Sequence, residues 1–228
     1  MSAGAATWKR LAASAAVAGA VVLSQVLTVG DARADALTIE ESARLARGET
    51  VSRLQTTERN DHRFVGGVTY TVIDSTPAEM ASLLDDVSSY RHLLPKTKSA
   101  RLVGNKNGDA LIELRQGNAV FETSYTVRVH REPSAGGSGG GGSETVRFWL
   151  DPSHPHGIDD AWGFFRVDVL PEPGKVLLTY GVLVDMGEGI GRMLFEEKVR
   201  GLMLSVPQLV RGYLVRLHAR TPWRVTQR

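Results

Sequence analysis

Residues 191–220 read GRMLFEEKVRGLMLSVPQLVRGYLVRLHAR, and the spacing of their apolar side chains decides the fold. Leu194, Phe195, Val199, Leu202, Met203, Val206, Leu209, Val210, Tyr213, Leu214 and Leu217 recur at intervals of three and four. That is one wide apolar stripe on a helix of roughly 28 residues, about 40 Å long at 1.5 Å per residue. Pro207 lacks an amide hydrogen and predicts a bend near the middle. A bent rod with one apolar face fits across a curved sheet.

The chain ahead of this helix supplies such a sheet. Strand patterns fall at 65–73, 100–104, 110–116, 119–130, 144–150, 161–170 and 175–185, the last strongly apolar. Their connections carry turn chemistry: Asn105-Lys106-Asn107-Gly108, Gly117-Asn118 and Pro171-Glu172-Pro173-Gly174. Consecutive strands with short links argue for an antiparallel meander, not for alternating βαβ units. Between the first strand and the rest, Ser75-Thr76-Pro77 places a hydroxyl cap and a proline at a helix start, with Glu79 in its first turn. A second short helix over 88–94 is stopped by Pro95. Further upstream, Thr38 caps a short helix over 39–47, and 49–58 is polar and β-branched, as an edge strand is. The tract 136–143 holds six glycines in eight residues and predicts a flexible loop over 134–143 with no functional role.

The N-terminus is of a different kind. Lys9 and Arg10 precede an apolar run over 11–29, which ends at Ala32-Arg33-Ala34 and Ala34-Asp35-Ala36. Positive flank, apolar centre and small-residue cleavage pattern predict a signal peptide over 1–36, hence export to the periplasm or cell envelope. The alternative is an uncleaved membrane anchor, since the run is just long enough to span a bilayer. The expected organisation is therefore signal peptide 1–36, N-terminal extension 37–63, main domain 64–220 and tail 221–228.

Charge and composition bound the function. The chain carries 27 Lys+Arg against 25 Asp+Glu, and removing residues 1–34 leaves 24 of each. A neutral mature domain lacks the electrostatic footprint of a nucleic-acid binder. With no cysteine in an oxidising compartment, stability must come from packing. The absence of cysteine also removes cysteine nucleophiles, and no Gly-x-Ser-x-Gly elbow occurs. Gly187-Glu188-Gly189-Ile190-Gly191 lacks the spacing and the following strand of a dinucleotide loop. His154-Pro155-His156 with Asp159-Asp160 is the densest set of metal-ligating types. The intervening proline points the two imidazoles apart, so a polar loop at a pocket mouth is the expected role. No metal or other cofactor is implied.

The segments Ser75-Thr76-Pro77-Ala78-Glu79 and Tyr90-Arg91-His92-Leu93-Leu94-Pro95, with the terminal helix around Pro207, resemble the START-like (SRPBCC) superfamily. That superfamily includes polyketide cyclases, plant lipid-binding proteins and coenzyme Q-binding proteins. The likeness runs from about residue 65 to residue 213 and rests on element order. It implies an α+β helix-grip fold, a curved antiparallel sheet wrapped around a long kinked C-terminal helix. It also implies a cavity for a lipid, sterol, quinone or polyketide between the two.

Alternation along the late strands places Arg147, Trp149 and Asp151 on one face, with Phe148 and Leu150 on the other. Trp162, Phe164 and Arg166 likewise share a face. Trp149, Trp162 and Phe164 are expected ligand contacts, since large rings line pockets and an indole N–H can meet a ligand oxygen. Tyr125, Arg115, His156 and Met203 complete the expected set. These residues suit a binding or transfer protein for a hydrophobic small molecule, with a membrane surface as a further partner. The alternatives are a cyclase- or dehydratase-like enzyme using Tyr125, Arg115 or His156 as acid or base, and an interaction module with a filled core.

Overall fold

The computed structural model describes residues 36–60, 62–117, 122–132, 143–187 and 190–220. The expected signal peptide (all but residue 36), nearly all of the Gly/Ser loop and the tail 221–228 lie outside the described residues. So do Asn118, residues 188–189 of the glycine-rich turn, and the side chains of Leu194 and Phe195.

Helix α1 (Ile39–Ala46) starts where its cap predicts. Thr38 Oγ1 accepts from the Glu41 N–H at 3.1 Å, and the Thr38 N–H donates to Glu41 Oε2 at 2.8 Å. This reciprocal pair satisfies two of the helix's unbonded ends. β1 (Val51–Arg59) pairs with β2 (His62–Asp74) along its whole length, so the stretch placed ahead of the main domain joins its sheet. α2 (Pro77–Asp85) has Pro77 at its first position and Thr76 as cap, accepting from Glu79 N–H at 3.1 Å. A 3₁₀ turn over Val87–Ser89 leads into α3 (Tyr90–Leu93), so the second short helix is split in two.

Six strands follow: β3 (Thr97–Lys106), β4 (Asp109–Gly117), β5 (Glu122–Glu132), β6 (Glu144–Leu150), β7 (Asp160–Val169) and β8 (Lys175–Asp185). The eight strands form one antiparallel sheet in the order β1-β2-β8-β7-β6-β5-β4-β3. After β2 the chain crosses through α2 and α3 to the far edge and returns strand by strand until β8 lies beside β2. Between β3 and β4 only Asn107 and Gly108 intervene, at φ 55° and 90°. Two successive positive φ values make the tight hairpin turn that asparagine and glycine favour.

The two faces bury separate clusters. On one, α1 covers Val51, Val68, Tyr70 and Phe164 with Leu45. On the other, Ile73, Val176 and Leu178 pack beneath Val206, Val210 and Leu214.

The terminal helix bends as Pro207 predicts, and the bend is a break. α4 (Ile190–Leu204) and α5 (Val206–Arg220) are separated at Ser205. The Ser205 hydroxyl donates to the Leu202 carbonyl at 2.7 Å, and the buried Thr69 hydroxyl of β2 donates to the Leu204 carbonyl at 3.1 Å. The sheet thus bonds the helix at its break.

Candidate functional site

A cavity of about 1220 Å³ lies between the sheet and the helices. The sheet contributes Tyr125, Val127, Phe148, Phe165, Tyr180 and Val182, and the terminal helix contributes Val199, Leu202, Met203 and Val206. Leu84, Tyr90 and Leu93 close it from α2 and α3. The volume exceeds the roughly 300–1,000 Å³ of ordinary small-molecule sites.

Local sequence explains why the space stays open. Phe148, Phe165 and Tyr180 lean on one another, with ring centroids 4.7 Å apart for Phe165–Tyr180 and 5.9 Å for Phe148–Phe165. Gly163 lies opposite Phe148 on the neighbouring strand, and a Cβ there would sit 2.5 Å from the Phe148 ring. Lacking that atom, glycine lets the ring lie against the sheet.

The polar groups of the wall divide into bonded and unbonded. Tyr90 donates to the Leu84 carbonyl at 2.8 Å, and burial pushes its phenol up to about 12. Tyr125 donates to Gln116 Oε1 at 2.5 Å, while Gln116 Nε2 donates to Thr97 Oγ1 at 2.9 Å. Burial also raises the Tyr125 phenol. Tyr180 is 4% exposed, and its hydroxyl makes no hydrogen bond among the described residues. Burial, then the neighbouring Tyr125, raises its phenol. Thr123 Oγ1, also in the wall, is buried without a partner among the described residues. An unmet buried hydroxyl costs about 1–3 kcal/mol.

Of the residues expected from sequence, the cavity takes in Tyr125 and Met203. Trp149, Trp162 and Phe164 lie outside its lining. Trp149 pairs with Trp162 across β6 and β7, and Phe164 and Trp162 pack in the cluster under α1. Strand alternation sends Val146, Phe148 and Phe165 to the cavity and their neighbours to the opposite face. Arg115 is exposed and paired with Glu122. His156 is exposed too, its Nδ1 2.7 Å from the Ile158 carbonyl, although Gly157 and Ile158 beside it reach the wall. Arg115 and His156, two of the three groups named for acid–base chemistry, are therefore not brought together with Tyr125.

Sequence reading missed Phe148, Phe165, Tyr180, Thr123 and Gln116. A signal was available in β6: one face carries Arg147 and Asp151, while 146, 148 and 150 are all apolar. The charged face lies on the side of the sheet away from the cavity. There Asp151, itself fully buried, accepts from Arg128 Nε at 3.0 Å and from the Ser153 hydroxyl at 2.6 Å. Arg128, then Ser153, holds its carboxyl well below the usual range.

A separate cluster gathers His62, Asp159 and Asp185, whose ligand-type atoms lie within 4.8 Å of one another. Both Asp185 oxygens are in use, Oδ2 with His62 Nδ1 at 2.7 Å and Oδ1 with the Gly187 N–H at 2.9 Å. Those bonds pin the exit of β8 to β2.

An antiparallel sheet closed by a C-terminal helix over an apolar cavity defines the helix-grip architecture. The fold is that of the START-like proteins. In solved structures the chain is similar to a STAR-related lipid transfer protein from Xanthomonas axonopodis, with a TM-score of 0.58 at 16% identity over 72% of this chain and 93% of that one. It is similar also to the Zhui aromatase/cyclase from Streptomyces sp. R1128, at TM-score 0.53 and 10% identity over 77% and 100% of the two chains. Human StAR-related lipid transfer protein 5 gives 0.51 at 9% identity over 72% and 88%. No protein-family model matches the chain, and no curated protein does.

Proposed function

We propose that the domain binds or transfers a hydrophobic small molecule held between the sheet and the α4–α5 helix. The cavity of about 1220 Å³, walled mainly by aliphatic and aromatic side chains, carries this reading. Burying apolar surface yields about 25 cal/mol per Å², so such a space favours apolar cargo over water. The similarity in fold to STAR-related lipid transfer proteins supports it. A filled-core interaction module does not fit a space of this volume.

Non-catalytic binding fits the wall better than cyclase or dehydratase chemistry. No carboxylate or imidazole belongs to the described lining, and its three phenols are raised by burial and stay protonated near neutrality. The pattern of residues 1–36 supports work in the periplasm or cell envelope. A membrane surface suits as the exchange partner. Arg216 and Arg220 flank the stacked His92 and Tyr213, and neither arginine meets a carboxylate among the described residues. His92 is two residues from Leu94 in the cavity wall.

The test is to purify the full chain, extract it with organic solvent and identify the released molecules by mass spectrometry. A stoichiometric hydrophobic compound, displaced when the neutral dye N-phenyl-1-naphthylamine (1-anilinonaphthalene) is added, is expected. An interior that yields no compound and takes up no dye would overturn the proposal.

A further inference from the structure

The unbonded hydroxyls say more about the cargo than the cavity's size does. Tyr180 stands on β8 in the middle of the sheet, next to β7, and lines the cavity while almost wholly shielded from solvent. Its ring is held by Phe165 and Phe148, so the hydroxyl is aimed by packing. Tyr90 and Tyr125 line the same cavity, yet each spends its hydroxyl on a protein oxygen. Tyr180 has no such acceptor among the described residues. Thr123 Oγ1, in the same wall, is buried without a hydrogen-bond partner among the described residues and lies close to Gly157, where a Cβ would come within 2.5 Å of it.

We propose that the cavity selects a cargo bearing a neutral carbonyl-type oxygen, a ketone, quinone or ester, that accepts a hydrogen bond from Tyr180. This rests on the reading of the cavity as a ligand site and narrows it to a chemical class. A plain hydrocarbon chain leaves the Tyr180 hydroxyl unmet, or displaces a water that had served it, and loses affinity either way. A carboxylate is the wrong partner at this depth. The cations of the described lining, Lys96 and Lys198, are both exposed, and a buried anion needs a charged partner. The protonated phenol is the donor such an oxygen requires, because burial holds the proton on Tyr180.

The test compares 2-undecanone with 2-methyl-1-undecene, which replaces the carbonyl oxygen by a methylene of similar shape. Each displaces the neutral dye N-phenyl-1-naphthylamine (1-anilinonaphthalene) from the full chain, and affinities are corrected for partition from water. The ketone is expected to bind about fivefold to tenfold more tightly than the alkene. Tyr180→Phe removes only the hydroxyl and should bring that ratio to about one, with Tm measured alongside to show that the variant folds. Equal binding of the two probes to the unaltered protein overturns the inference while leaving the cavity a ligand site. A ratio unchanged by Tyr180→Phe overturns it as well. If neither probe displaces the dye, the inference falls together with the reading beneath it.

Discussion

The two halves of the terminal helix carry the same apolar periodicity and do different jobs. On α5, Val210 and Leu214 are at most 1% exposed and pack into the main core, while Val206 at its start is buried there too and reaches the edge of the cavity. On α4, Val199, Leu202 and Met203 are partly exposed and face the cavity. α5 also reaches outward to α2, where His218 Nε2 lies 2.6 Å from Glu79 Oε1. One half is fastened to the sheet, and the other roofs a space. The break at Ser205, bonded through Thr69 to β2, separates them. Equal hydrophobicity along a helix therefore does not mean equal burial energy. Close-packed α5 residues stabilise the fold, whereas α4 residues are left with apolar surface for a cargo to cover.

Four substitutions break or sharpen this contrast. Leu214→Ala has the largest expected effect, a loss of about 2–5 kcal/mol in denaturant unfolding, because the tightly packed site cannot collapse around the missing atoms. Dye affinity per folded molecule should hardly change. Thr69→Val comes next, at about 1–3 kcal/mol by the same measurement, since the Leu204 carbonyl loses its sheet donor. A Thr69→Val protein as stable as the parent would show that the break needs no support from the sheet. Leu202→Trp reverses the pattern: added bulk enters open space, so Tm should stay within about 3 °C. Affinity for the anilinonaphthalene dye should drop roughly tenfold, about 1.4 kcal/mol. Strong destabilisation without loss of binding would mean that α4 is packed as α5 is.

The smallest effect is a pH dependence at the strand end that leads into α4. The Asp185 hydrogen bond raises His62 above its usual 6.5, aided by Asp159 and Asp160. A raised folded-state value makes this contribution complete below pH 6.5 and lost as pH climbs through the raised value. Because His62 is about half exposed, the Tm difference between the parent and His62→Gln should shrink by at most about 2 °C across that range. A difference that grows with rising pH would contradict the assigned sign.

Much of the architecture was legible because it depends on local rules. Thr38 and Thr76 announce their helices through side-chain caps, Asn107-Gly108 announces a hairpin, and β6 and β8 run over 144–150 and 175–185 as read. The cavity residues were harder. Alternation along β6 and β7 separates two faces correctly but does not say which one is covered by α1 and which by the terminal helix. Weight given to Trp149 and Trp162 as large rings favoured the face opposite the cavity, while the smaller Phe148 and Phe165 line it. Arg115 and His156 were polar groups near strand ends, and their directions are set by Glu122 and by the local turn.

Sequence alone determined the elements, their antiparallel meander and the break in the last helix, since periodicity, caps and a missing amide hydrogen act within a few residues. Tertiary structure decided where the hollow lies and which hydroxyls it strands. Those outcomes depend on how Gly163, Phe148 and Tyr180 from three different strands meet beneath Leu202 and Met203. No local pattern encodes a volume that segments far apart in the sequence must leave unfilled.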